Sequence, residues 1–329
     1  MKGFDPKFRD FPDYIIGITK EIWEDRGLST LHDYYAADIV VRTPASVVTG
    51  NANVIGATMA TLAEFPDRTL LAEDVIWSGT PEDGMLSSHR ILSTATHLGD
   101  GAYGPATGRK LTYRIIADCN AKDNRIDDEW LIRDQGAIVR QMGLDPRAFA
   151  RDQIAREGGP EACIKPFSPA IDRPGPYTGR GNDNIWGTHL TDALTGIMGA
   201  DFALIPQIYD RAAQLEHPGG VTEHGHAAAD GFWMRLRAAF PDATFAIHHS
   251  IGRDDPMMPP RAAVRWSLQG KHSGWGGFGA PSGAEVHVMG ITHAEFGPYG
   301  VHGYSLRREF TLFDETAIWK QILMHTGDL

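Results

Sequence analysis

Residues 62–69 read LAEFPDRT and residues 237–244 read RAAFPDAT, and this likeness is one point on a frame that runs through most of the chain. Setting each residue beside the one 175 positions later pairs Tyr34 with Tyr209, Gly50 with Gly225, Phe65 with Phe240, Arg90 with Arg265, His97 with His272 and Ile116 with Ile291. Beyond residue 118 the offset becomes 180, pairing Glu129 with Glu309, Asp134 with Asp314 and Gln141 with Gln321, because the second copy carries a longer hairpin around FGPYGVHG. The FPD at Phe11 lies outside the frame and is coincidence. Solenoid units run to roughly 20 to 50 residues, so a period this long marks a whole domain present twice.

A chain of 329 residues suits two domains of ordinary size. Its 31 basic and 42 acidic residues give a formal charge of −11. With no Lys/Arg run to follow a phosphate backbone, nucleic acid is excluded as an expected partner. The N-terminal MKGFDPKFRDFPDY lacks an apolar signal core, and no stretch reaches the roughly 18 apolar residues of a membrane span. No membrane association is expected. Two cysteines in unrelated contexts, Cys119 and Cys163, form no disulfide framework, and a cytoplasmic location is expected.

In each copy, helical spacing comes first and strand spacing after it. Asp13 begins a helix with Ile15, Ile18, Ile22 and Trp23 on one face, a short helix follows from Ser29, and ANVIGATMATLAEF forms a third that stops at Pro66. Strand-like runs near 69–77, 85–97, 110–119 and 126–133 then follow, joined by turn signals that favour antiparallel pairing. Asp134 and Asp314 precede the last helix of each copy and are expected as caps. The first domain is expected over 1–143 and the second over 184–329. Between them, 144–183 forms a Pro/Gly-rich linker with one short helix. The order predicts α+β architecture, with helices over a curved antiparallel sheet and a concave pocket between them.

The stretch AVRWSLQGKHSGWGGFGAPSGAEVHVMGI (263–291), together with DDEWLIRDQGAIVRQMG (127–143), resembles the SnoaL-like polyketide cyclases of the nuclear-transport-factor-2-like superfamily of cone-shaped α+β barrels. The resemblance covers both copies. It implies a cofactor-free and metal-free enzyme that closes a ring by intramolecular aldol chemistry on a small hydrophobic carbonyl compound. A base would take a proton next to a carbonyl while donors hold the enolate. It also implies that duplication supplies, as an intramolecular pseudo-dimer, the pairing that single-copy relatives make as homodimers, with further homo-oligomerisation left open. The same fold hosts dehydratases, isomerases and non-catalytic binding or scaffold proteins, which remain alternatives. The family's aspartate position is held here by Ala117 and Thr292. Asp118 and His293 stand one residue later, and a one-residue step on a strand turns a side chain to the other face.

Candidate catalytic groups are His272 and His97, which end the long strand of each copy and could equally cap the glycine-rich turn that follows. Glu129 and Glu309 in the last strand, and Asp118 and His293, complete the set. The pair His272 with Glu309 or His293 points to the second domain as the active one. Trp77, Trp130, Trp233 and Trp266 suit a pocket for a flat ring or an ordinary core. Arg90 and Arg265 suit either a substrate oxygen or a cross-strand carboxylate. His217 adds a further substrate-binding candidate. His224 with His226 and His248 with His249 lack a convergent acidic or cysteine partner, so no metal is expected.

Overall fold

The computed structural model describes residues 1–328. It divides into two compact units, Met1–Leu144 with Phe167–Gly179, and Asp145–Pro166 with Arg180–Leu329. The expected linker is therefore shared. Residues 167–179 fasten to the first unit through buried Arg42, whose guanidinium bonds Asp128, Asp172 at 2.6 Å and the Arg173 carbonyl. The helix within 145–166 belongs to the second unit, where Lys320 meets Glu157 at 2.6 Å.

The first unit runs α1 (Phe11–Thr19), α2 (Leu31–Tyr34), β1 (Tyr35–Thr43), β2 (Ser46–Thr49), α3 (Asn51–Glu64), β3 (Thr69–Thr80), β4 (Gly84–Thr96), β5 (Lys110–Lys122), β6 (Arg125–Arg133) and α4 (Gln135–Gln141). Helix α5 (Pro146–Arg156) follows. The second unit repeats the order as α6 (Ile185–Met198), α7 (Ile205–Ile208), β7 (Tyr209–His217), β8 (Val221–His224), α8 (His226–Ala239), β9 (Thr244–Arg253), β10 (Arg261–Lys271), β11 (Glu285–Pro298), β12 (Tyr304–Leu312) and α9 (Glu315–Thr326). The sheets are ordered β2-β1-β6-β5-β4-β3 and β8-β7-β12-β11-β10-β9. Strands joined by short turns pair antiparallel, as expected, but β1 lies parallel to β6 and β7 parallel to β12, so each sheet is mixed. The short strands β2 and β8 were not legible as strands, being only four residues long. Asp134 and Asp314 do cap α4 and α9, accepting from Ala137 N at 3.0 Å and Thr316 N at 2.8 Å.

The repeat frame slips once and recovers. Buried Ile15, Ile18 and Thr19 of α1 match buried Leu190, Ala193 and Leu194 of α6, 175 positions on. The first domain then adds a π-helical turn at Lys20–Glu24, whose wider winding absorbs one extra residue. From there the equivalent residues are 174 apart, and the tyrosine opening β1 is Tyr35, facing Tyr209 of β7 rather than Tyr34 doing so. Two residues close the β1–β2 turn between Thr43 and Ser46, but three close the β7–β8 turn between His217 and Val221, which restores the original offset.

The FPD landmark ends α3 and starts the sheet. Phe65 is buried, and the Asp67 carboxylate accepts from Thr96 N at 2.7 Å and its hydroxyl at 2.6 Å. Just before it, buried Glu64 holds the glycine-rich loop by accepting from His97 Nε2 (3.2 Å), Ala102 N (3.1 Å) and Tyr103 N (2.9 Å). Removing that carboxylate strands three donors, of which His97 and Tyr103 N are buried. Glu64→Ala is expected to cost roughly 2 to 4 kcal/mol in urea unfolding, and Glu64→Gln, which keeps an acceptor, less than half of that. Equal losses from the two variants would contradict the latch.

Candidate active site

Under α1 and α3 the first domain holds a mostly apolar, partly open cavity of about 290 Å³. Its floor is the concave face of β4, β5 and β6. On that face lie His89 and Ile91, then Ile115, Ala117 and Cys119, then Glu129, Leu131 and Arg133, as strand alternation requires. Trp23, carried inward by the π-helical turn, closes one side and packs edge-on against Tyr35 at 6.2 Å.

Glu129 is the central group. The Tyr35 hydroxyl hydrogen-bonds its carboxylate, yet burial outweighs that bond and raises the carboxyl to about 7. The same burial keeps the Tyr35 phenol protonated. Across the floor His89 is 2% exposed, its Nε2 has no hydrogen-bond partner, and burial beside Arg90 lowers the imidazole to about 3. It is neutral at physiological pH. Register puts Glu129 opposite Cys119, and His89 opposite Ala117 one side-chain step along. The two groups thus stand two strands apart and one step along, roughly 12 Å between Cα atoms. Cys119 is a buried thiol raised well above its ordinary range, so it is inert.

The second domain builds the same cone and fills it. Ala57 of the first domain is matched by Phe232, Thr58 by Trp233, Ile91 by Trp266 and Arg133 by Phe313, and these four aromatics belong to one buried core. Phe232 lies 4.9 Å from Trp233, and Trp233 lies 6.1 Å from Trp266, between ring centroids. Trp266 has space only because Gly290 stands where β5 has Ile115; a Cβ there would come within 2.1 Å of the indole. Glu309, equivalent to Glu129, has no exposed surface and accepts from Tyr209, from Thr311 at 2.8 Å and from His217 Nε2 at 3.3 Å. In the first domain the two extra donors are gone. Leu131 replaces Thr311, and Thr43, in place of His217, bonds the Ser46 carbonyl instead.

The remaining expected residues fall elsewhere. His97 and His272 sit at the glycine-rich loops, held through Nδ1 by Thr107 and Ser282, each at 3.0 Å, and neither lines the cavity. Ala239 stands where α3 has Glu64, so His272 Nε2 is unpartnered, and burial lowers that imidazole. Asp118 and His293 are buried on the face opposite the cone interior, where Asp118 accepts from Ser88 at 2.5 Å. Arg90 and Arg265 share that face, and Arg90 meets Glu73 at 3.2 Å. Trp130 lies there too, under the Arg42 guanidinium at 4.5 Å, while Trp77 packs on Phe11 at 5.8 Å. Trp233, Trp266 and His217 are core, and His217 stacks on Phe232 at 3.6 Å. Thus Glu129 alone among the expected groups lines the cavity. His89, Tyr35, Arg68 and Arg133 were missed. The available signal was alternation along β4, since Arg90 on one face puts His89 on the other.

Among the described residues, no group of three His, Cys, Asp or Glu is placed to hold a metal ion, and no helix is long and apolar enough to cross a membrane. Each domain is a helix-covered, six-stranded open sheet of the cone-shaped α+β class. The profile of the SnoaL-like polyketide cyclases matches residues 14–142, and that of the SnoaL-like domain matches 190–298. The chain therefore belongs to the SnoaL-like family, with two such domains in tandem. Among solved structures it is similar to IdmH, a proposed polyketide cyclase from Streptomyces antibioticus, with 24% identity and a TM-score of 0.35, covering 40% of this chain and 98% of that one. It is also similar to AclR, a proposed hydroxylase from Streptomyces galilaeus, with 19% identity, a TM-score of 0.35 and coverage of 41% and 98%. For TsrD from Streptomyces laurentii the values are 17%, 0.35, 41% and 98%. A search of curated proteins returns no match.

A carboxyl raised from 4.5 to about 7 binds its proton more tightly in the folded protein than in the unfolded chain. Its stabilising contribution is complete below pH about 4.5 and is lost as the pH rises through about 7, a change of about 3 kcal/mol. Urea unfolding of wild type and Glu129→Gln across pH 4–8 should diverge by that amount, the variant gaining relative stability as the pH rises. The difference curve isolates Glu129, because His89, whose depressed imidazole loses stability toward low pH, is common to both. Parallel curves would remove the buried, protonatable carboxylate from the picture.

Proposed function

We propose that the first domain catalyses cofactor-independent proton transfer at a carbon next to a carbonyl, the opening step of an aldol-type ring closure, on a small hydrophobic carbonyl compound. The reading rests on one observation: a carboxyl poised near neutrality inside an apolar cavity, with a single phenolic donor and space beside it. A base with a pKa near the working pH is half ionised there and still strong enough to take an activated proton. Glu129 as carboxylate accepts the α-proton, and the electron pair moves into the carbonyl to give an enolate. His89, neutral and with Nε2 unpartnered, is the group to donate an N–H to that enolate oxygen. When the enolate carbon attacks a second carbonyl of the same molecule, protonated Glu129 returns its proton to the new alkoxide.

The second domain is read as a non-catalytic scaffold. Its carboxylate is saturated by three donors and its cone is occupied by aromatic rings. The active role thus moves from His272, Glu309 and His293 to Glu129, His89 and Tyr35. Proton exchange at the α-carbon of aryl 1,3-diketones, followed by NMR in D₂O, tests this. The wild type is expected to accelerate exchange, Glu129→Gln to lower that rate by about 10²- to 10⁴-fold, and Glu309→Gln to retain it. Undiminished exchange in Glu129→Gln, or loss confined to Glu309→Gln, would overturn the assignment.

A further inference from the structure

The cavity of the first domain is lined by two arginines, Arg68 and Arg133, and by a single carboxylate, Glu129. Arg68 is 7% exposed and precedes β3 directly. Its Nε has no hydrogen-bond partner, and the groups acting on it are the Tyr113 hydroxyl and the like charges of Arg133 and Arg26. Arg133 ends β6 on the same inward face as Glu129, four residues further along. That is roughly 13 Å between Cα atoms. A guanidinium does not lose its proton in a protein, so two of them beside each other carry a fixed positive charge. Whether Glu129 is protonated or ionised, the positive charges in the lining outnumber the negative. Arg68 is out of water and needs a counter-charge, whereas Arg133 is partly exposed and adds its charge to the same end of the cavity.

We propose that the substrate carries a carboxylate, which docks on Arg68 and Arg133 at one end of the cavity while its carbonyl segment lies toward Glu129 and His89 at the other. This rests on the catalytic reading only for the position of the reacting end. The planar guanidinium fork matches a carboxylate with two parallel hydrogen bonds. The spacing along β6 corresponds to an acid separated from its ketone by a short chain or one ring. The second domain supports the pairing of charge with cavity: where the cone is filled, Ala243 replaces Arg68 and Phe313 replaces Arg133.

The test compares 4-oxo-4-phenylbutanoate with its methyl ester by calorimetry, with inorganic phosphate as a second anion. The acid is expected to bind the wild type at least about tenfold more tightly than the ester, and more tightly than phosphate. Arg68→Met should erase the preference for acid over ester, and Arg68→Lys should keep part of it. Glu129→Gln should keep all of it, which separates failure of the anion site from failure of the proposed chemistry. Equal affinity for acid and ester in the wild type, preference for phosphate, or no binding of the acid at about 5 mM would overturn the proposal.

Discussion

One hydrogen bond recurs at the heart of both domains: a tyrosine that opens the first strand reaches a glutamate in the last. Tyr35 meets Glu129 across the parallel pair β1–β6, and Tyr209 meets Glu309 across β7–β12. A carboxylate inside such a cone carries a desolvation cost that no apolar neighbour offsets, so everything around it is arranged according to how that cost is met. Where three donors meet it, the core closes over the carboxylate. Where one donor meets it, the proton stays on until near-neutral pH and the space beside it remains open.

The two arrangements could not be exchanged one residue at a time. Trp266 fits because β11 has Gly290, and the Ile91–Ile115 combination in the first domain divides the volume differently. Overpacking a closed core costs about 1–3 kcal/mol, and emptying it costs as much or more. Filling the second cone buries Trp233 and Trp266 fully, which is the better solution for stability. Leaving the first cone open forgoes that packing and keeps the Arg68 guanidinium and the His89 imidazole out of water. Such a departure from good packing is what a binding site requires.

The repeat frame made the fold legible, because the residues that hold backbone geometry are those that match: FPD at the α3–β3 corner, Gly50 and Gly225 with φ of 84° and 82°, and the capping Asp134 and Asp314. The same frame misplaced Tyr34 against Tyr209. A π-helical turn and a shortened hairpin cancel, and residue identity hides the slip between them. It also drew attention to His97 and His272, whose shared role is to secure a loop. Glu129 was found because it is matched. His89 was not, because Val264 stands opposite, and its face could be read only from the alternation of β4 once the strand was in register with Ala117.

Identity between the duplicated copies marks what the fold needs, and the two cone interiors differ where the copies part. His89 against Val264, Arg68 against Ala243, Arg133 against Phe313 and Leu131 against Thr311 are all substitutions that no conservative reading would pair. Each removes a donor or changes a charge or volume at the cone interior of one domain alone. Together they convert a saturated carboxylate in a packed core into a solitary one facing a cavity. The tyrosine that supports it is unchanged, so the difference between the two cones comes from the surroundings of a shared pair rather than from a new acid or base.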